Sequence, residues 1–130
     1  MTLKKTAKEN FAAWVNALED KDIERLASLY TRDATFLPTL SADFKTGPSG
    51  AEEYFRDFLR RNPTGKMIQE TVQWLGNDSY LHSGFYDFEV DDETGKTRII
   101  ARARFTFAWK REPDGTWKIF HHHSSIMPAE

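Results

Sequence analysis

The second half of the chain consists of four long runs, 66–75, 79–90, 98–110 and 117–126, each bounded by a short turn signal. The runs are rich in β-branched and aromatic residues, which suit a pleated and half-buried surface. The separators Gly76-Asn77-Asp78, Asp91-Asp92-Glu93-Thr94-Gly95 and Glu112-Pro113-Asp114-Gly115 are too short for a crossover between parallel strands. Consecutive runs must therefore pair as hairpins, and an antiparallel meander is expected.

The first half follows a different period. Ala7, Phe11, Trp14, Val15 and Leu18 recur at spacings of three and four between Lys5 and Asp20, which places them on one stripe of an amphipathic helix. Asp22 is suited to cap a second, shorter helix with Ile23, Leu26, Leu29 and Tyr30 on its inner face. Ala34–Leu37 reads as a short strand stopped by Pro38, which cannot donate to a sheet ladder. A loop with Gly47 and Pro48 follows. Ser49 and Glu52 then have the spacing of a capping box, and a third helix buries Tyr54, Phe55, Phe58 and Leu59 before ending near Asn62-Pro63.

Helices first and long strands second predict an α+β fold: a curved antiparallel sheet of about five to six strands, covered on one face by three N-terminal helices. A chain of 130 residues fits a single domain over residues 1–130, large enough to bury roughly two-thirds of its unfolded surface.

Composition narrows the function. The net charge is -2, so no basic field exists to condense on nucleic acid or on anionic lipid. No run approaches the ~18 apolar residues of a spanning helix, and the first residues lack an apolar leader. Cysteine is absent, which removes disulfides, thiolate metal sites and a thiol nucleophile and fits a reducing compartment. A soluble cytoplasmic protein without nucleic-acid or membrane partners is expected.

The last run, Trp117-Lys118-Ile119-Phe120-His121-His122-His123-Ser124-Ser125-Ile126, carries three successive histidines. Alternation along a strand puts Phe120, His122 and Ser124 on one face, and Ile119, His121 and His123 on the other. The three imidazoles cannot meet, and His121 with His123 lacks a further ligand fixed by spacing, so no metal and no cofactor is assigned. Chemistry falls to His122 on the pocket face, paired with Asp87 if Phe85 faces inward. A histidine beside a carboxylate in an apolar cavity is an acid/base unit near neutral pH. The same pair also reads as a satisfied buried contact with no substrate. Trp14, Tyr54, Phe85, Phe105, Phe107, Trp109, Phe120 and Ser124 are the candidate pocket lining. Arg102 and Arg104 alternate on the opposite face with His121 and His123, a candidate surface for a second copy.

The element order resembles the nuclear transport factor 2-like superfamily, a cone of curved sheet closed by a long N-terminal helix. Ala34-Thr35-Phe36-Leu37-Pro38 with Gly50 and Tyr54-Phe55, and Trp109, Asp114-Gly115-Thr116-Trp117, His121-His122-His123-Ser124-Ser125 and Pro128, resemble the association domain of calcium/calmodulin-dependent protein kinase II. Small bacterial stand-alone proteins of the SnoaL-like and SgcJ/EcaC groupings share the terminal pattern.

The resemblance implies self-assembly into a homodimer or a larger ring. Kinase activity is not implied, because the chain has neither a Gly-rich phosphate loop nor a His-Arg-Asp catalytic loop. It further implies that the family's pocket arginines are replaced here by Phe85, Phe107 and Ser124, leaving an apolar pocket for a small lipophilic ligand. A register slip of one residue would bring Arg102 and Arg104 into the cavity instead. The expected function is an oligomerising, association-domain-like protein. The alternative is a SnoaL- or ketosteroid-isomerase-like enzyme using His122 and Asp87 on a polycyclic or carbonyl-containing substrate.

Overall fold

In the computed structural model, which describes residues 2–129, helix α1 spans Leu3–Glu19 and begins where the Thr2 hydroxyl accepts the Lys5 N–H. Its buried stripe is Ala7, Trp14, Ala17 and Leu18. Helix α2, Ile23–Ser28, is capped by Asp22, whose carboxylate accepts the Arg25 N–H at 3.1 Å. The chain leaves α2 directly into strand β1, Tyr30–Leu37, so Tyr30 belongs to a strand rather than to the helix face. The cause is a bond from the Ile119 N–H to the Leu29 carbonyl at 2.7 Å, which pulls the helix end onto the last strand.

A two-residue strand, β2 (Lys45–Thr46), leads into helix α3, Gly47–Phe58. This helix starts two residues before Ser49, with Thr46 at its N-cap and Pro48 in its first turn, where a missing N–H costs nothing. The Ser49–Glu52 capping box therefore does not form. A 3₁₀ turn, Leu59–Arg61, closes the helical part at Asn62, whose φ is 52°.

The four long strands follow as β3 (Thr64–Gly76), β4 (Ser79–Asp91), β5 (Arg98–Arg111) and β6 (Trp117–Ile126). They pair in the expected meander, and the sheet order is β2-β1-β6-β5-β4-β3. One pairing departs from the all-antiparallel expectation. β1 lies parallel to β6, so the six-stranded sheet is mixed. The helices lying between β1 and β6 in sequence make that parallel arrangement feasible, since it needs a long connection.

Register decides which residues face the helices. Tyr86 pairs with Ala103, Gly84 with Phe105, His82 with Phe107 and Tyr80 with Trp109. Directly opposed residues share a face, so the odd positions of β5 and the even positions of β4 point inward together. Phe85 and Asp87 consequently lie outside, opposite Arg104 and Arg102, which corrects the expectation that they face the pocket. A bulge in β6 has a similar effect. Ile119 pairs with Trp109 and His121 with Ala108, so Phe120 is the extra residue, Ile119 turns inward and Phe120 outward. Bulges strengthen twist and bend the sheet around α1 and α3, whose aromatics fill the concave side.

Among the glycines of the described residues, the tightest backbone approach lies at Gly84, beside the β3 bulge between Met67 and Gln69. A Cβ placed there would stand 1.9 Å from the Gln69 carbonyl oxygen. Gly84→Ala is expected to destabilise the fold by about 3 kcal/mol through this overpacking, read as a lower denaturant midpoint. Gly95→Ala, in an open turn at φ +73° with nothing within 4 Å, should cost only about 1 kcal/mol.

Candidate functional site

The concave interior converges on a single imidazole. His122 is 1% exposed, and its two ring faces are covered by Phe107, with centroids 4.1 Å apart, and Phe36, at 4.7 Å. Trp14 meets it edge-on at 5.6 Å and 90°. Each strand that contributes supplies one wall: β1 brings Tyr30 and Phe36, β4 brings Tyr86 and β5 brings Phe107.

Both ring nitrogens are satisfied by phenols. Tyr30 Oη lies 2.9 Å from His122 Nδ1, and Tyr86 Oη lies 3.1 Å from Nε2. The Tyr86 hydroxyl donates to Ser124 Oγ at 2.6 Å, and Ser124 meets Thr39 Oγ1. Trp14 Nε1 donates to Tyr30 Oη at 3.2 Å. Proton bookkeeping sets the direction of this chain. Because Tyr86 spends its one proton on Ser124, it must accept from His122 Nε2–H. A neutral imidazole has no second proton, so Nδ1 accepts from the Tyr30 hydroxyl. Every donor from Trp14 to Ser124 then has an acceptor, and the bonds polarise one another in the same direction.

Burial holds the His122 pKa well below its ordinary 6.5, and the neighbouring His121 and His123 push it the same way. Desolvation likewise raises the phenols of Tyr30 and Tyr86. Tyr54, nearer the rim, is pushed up to about 12 by its burial. The interior is thus a neutral network. It is also nearly full: only about 10 Å³ remains among Trp14, Phe36, Thr39, Tyr54, Tyr86 and His122, the lower limit for one water.

The expected site residues therefore separate. Trp14, Tyr54, Phe105, Phe107, Trp109 and Ser124 stand around the interior with His122. Phe85 and Phe120 do not, and Phe120 instead edges an outer depression with Asp78, Lys110 and Arg111. Asp87 is not brought to His122. It receives two bonds from Arg102, at 2.8 and 3.0 Å, on the opposite face of the sheet. Arg104, His121 and His123 share that outer face, where His121 Nδ1 lies 2.6 Å from Thr35 Oγ1. Among the described residues, no three His, Asp or Glu side chains gather as a metal site requires. No helix among them is long and apolar enough to cross a membrane.

Sequence reasoning overlooked Tyr30 and Tyr86 as partners of His122. It also overlooked a second histidine. His82 is fully buried on β4, with Nε2 3.0 Å from Glu70 Oε1 on β3 and Nδ1 unpartnered. The signal was the even-numbered series Tyr80, His82, Tyr86 and Phe88, which reads as one inward face once the hairpin register is known.

Comparison with known proteins places this geometry. A profile of the calcium/calmodulin dependent protein kinase II association domain matches residues 5–128. A crystal structure from Xanthomonas campestris, assigned to the same association domain, is 33% identical with a TM-score of 0.93, covering 100% of this chain and 91% of that one. Hexachlorocyclohexane dehydrochlorinase LinA-type3 from Novosphingobium barchaimii LL02 is similar in fold, at 17% identity and TM-score 0.79, covering 96% and 86%. An NTF2-like dehydratase-type protein from Streptomyces avermitilis has 18% identity and TM-score 0.82, covering 96% of each chain. No curated protein matches the sequence.

The buried network makes acid sensitivity measurable. An unfolded histidine titrates near 6.5, whereas folded His122 stays neutral to much lower pH, so the unfolded state binds more protons as the pH falls. Stability should be complete above about pH 7 and decline below about 6.5, with His82 and His121, also lowered, acting in the same direction. His122→Gln should flatten this decline in urea titrations between pH 7 and 5; an unchanged slope would assign it to other groups. Tyr86→Phe leaves His122 Nε2–H without its acceptor and should cost about 1–3 kcal/mol at pH 7.

Proposed function

Because the chain belongs to the calcium/calmodulin-dependent protein kinase II association domain family, we propose that it is a self-associating module without kinase activity of its own. Two copies meet through the outer face of the sheet. The observation that carries this reading is the division of the molecule into a filled interior and a structured outer face. The interior keeps only about 10 Å³ free, both nitrogens of its histidine are engaged by phenols, and Asp87 is committed to Arg102 on the far side. Acid/base chemistry by His122 with Asp87 has no support in that arrangement.

The outer face of β4, β5 and β6 presents a half-buried Phe85 beside Arg104, the Arg102–Asp87 pair, and the row of His121, His123 and Ser125. An aromatic ring flanked by arginines and hydrogen-bonding groups is the composition that suits an interface between copies. Arg102 is 50% exposed and holds a fixed bidentate geometry, so a partner meets an ordered charge rather than a mobile one. A small lipophilic ligand belongs to this reading only as an occupant of the cone that displaces part of its aromatic filling.

Light scattering should return an integral multiple of the 15.1 kDa chain for the wild type. Replacing both arginines by glutamate (R102E/R104E) sets acidic side chains beside Asp87 and should reduce the mass to one chain, with an unchanged circular dichroism spectrum. A wild type of single-chain mass overturns self-association, and an unaffected double variant overturns this face as its site.

A further inference from the structure

A second cavity lies outside the cone interior. Between α1 and β3 runs an open cleft of about 680 Å³, walled by Phe11, Ala12, Val15 and Met67, with Lys4, Lys8 and Glu70 as its charged lining. Glu70 is bound to His82, and that bond fixes the histidine's chemistry. A carboxylate only accepts, so the single proton of the neutral imidazole sits on Nε2. Nδ1 then carries a lone pair, and it is fully buried with no partner. A buried acceptor left unmatched costs free energy that a ligand donor would recover.

Phe11 borders both His82 and the cleft. Its ring stands edge-on to His82 at 5.9 Å while also lining the cavity, and it is only half-buried. At 1.5 Å per residue, Lys8 and Lys4 lie about 4.5 and 10.5 Å along the helix axis from Phe11. Among the described residues, neither lysine forms an ion pair within 4.0 Å. The other charged lining residue is Glu70, and beside the lining residue Gly65 stands Glu19, which accepts the Gly65 N–H at 3.0 Å. A negative ligand group in the cleft is therefore drawn to the lysines and not to either carboxylate.

We propose that the α1/β3 cleft binds a small aromatic acid carrying a hydroxyl opposite its carboxylate. The hydroxyl donates to His82 Nδ1, the ring replaces Phe11 against Val15 and Met67, and the carboxylate pairs with Lys4 and Lys8. Glu70 acts as a positioning residue, holding the tautomer that leaves Nδ1 able to accept. Desolvation keeps the His82 pKa below its ordinary value despite Glu70, so the accepting form is the one present at neutral pH.

Titrating 4-hydroxybenzoate, benzoate and phenol into the full chain, with His82 followed by nitrogen-detected NMR, tests the site. The structure requires 4-hydroxybenzoate to bind at least about ten-fold more tightly than either fragment and to shift the His82 Nδ1 resonance. K4A/K8A should reduce its affinity to that of phenol, and His82→Gln should remove its advantage over benzoate. Equal affinities for 4-hydroxybenzoate and benzoate in the wild type overturn the proposal, as does affinity unchanged by K4A/K8A. Should His82→Gln not fold, the three wild-type titrations and the surface lysine variant decide the question.

Discussion

One imidazole at the centre of an aromatic interior must have both nitrogens satisfied, and the architecture is arranged around that requirement. His122 is sealed by Phe36 and Phe107 and has no access to bulk water, so its partners must come from the protein. Tyr30 reaches it only because β1 runs parallel beside β6, and Tyr86 only because β4 sits two strands away across a strongly curved sheet. Trp14 completes the arrangement from α1, stacking on Tyr86 at 6.0 Å while donating to Tyr30. Helix, first strand and meander are thereby tied to one network. Loss of any member leaves a buried polar atom unmatched, which is costlier than the bond itself is stabilising.

The same network determines what the interior is suited for. A histidine with both nitrogens engaged by phenols, held neutral and surrounded by rings, is positioned to specify packing rather than to exchange protons with a substrate. His82 differs in each of these respects. It has a carboxylate on one nitrogen, nothing on the other, and a cleft one side chain away. The outer face of the sheet is separate from both, since Arg102 and Asp87 neutralise each other there and are positioned by cross-strand register rather than by the interior.

Much of the fold was legible in the chain. The stripe Ala7, Trp14 and Leu18, the Asp22 cap and the four long runs with their turns all appear where periodicity places them, because each depends on neighbours in sequence. The start of α3 was not, because Thr46 and Pro48 outweigh the Ser49–Glu52 signal. The site was legible only in part. Parity assigned His122 and Ser124 inward, and Arg102 and Arg104 outward, while Phe85, Asp87 and Phe120 were placed on the wrong face. Each error has one cause: the face of a strand residue depends on the register with its partner, and a single bulge reverses it.

By itself, then, the sequence determined the local elements, the hairpin order, the apolar stripe of α1 and the branch of the fold, since these follow from side-chain periodicity and from turns a few residues long. Only the tertiary structure decided that β1 lies parallel to β6, that Tyr30 and Tyr86 rather than Asp87 hold His122, and that His82 meets Glu70. Those contacts join residues up to 92 positions apart. They are selected by the cost of burying an unmatched polar atom, a quantity defined only once the whole sheet has closed over it.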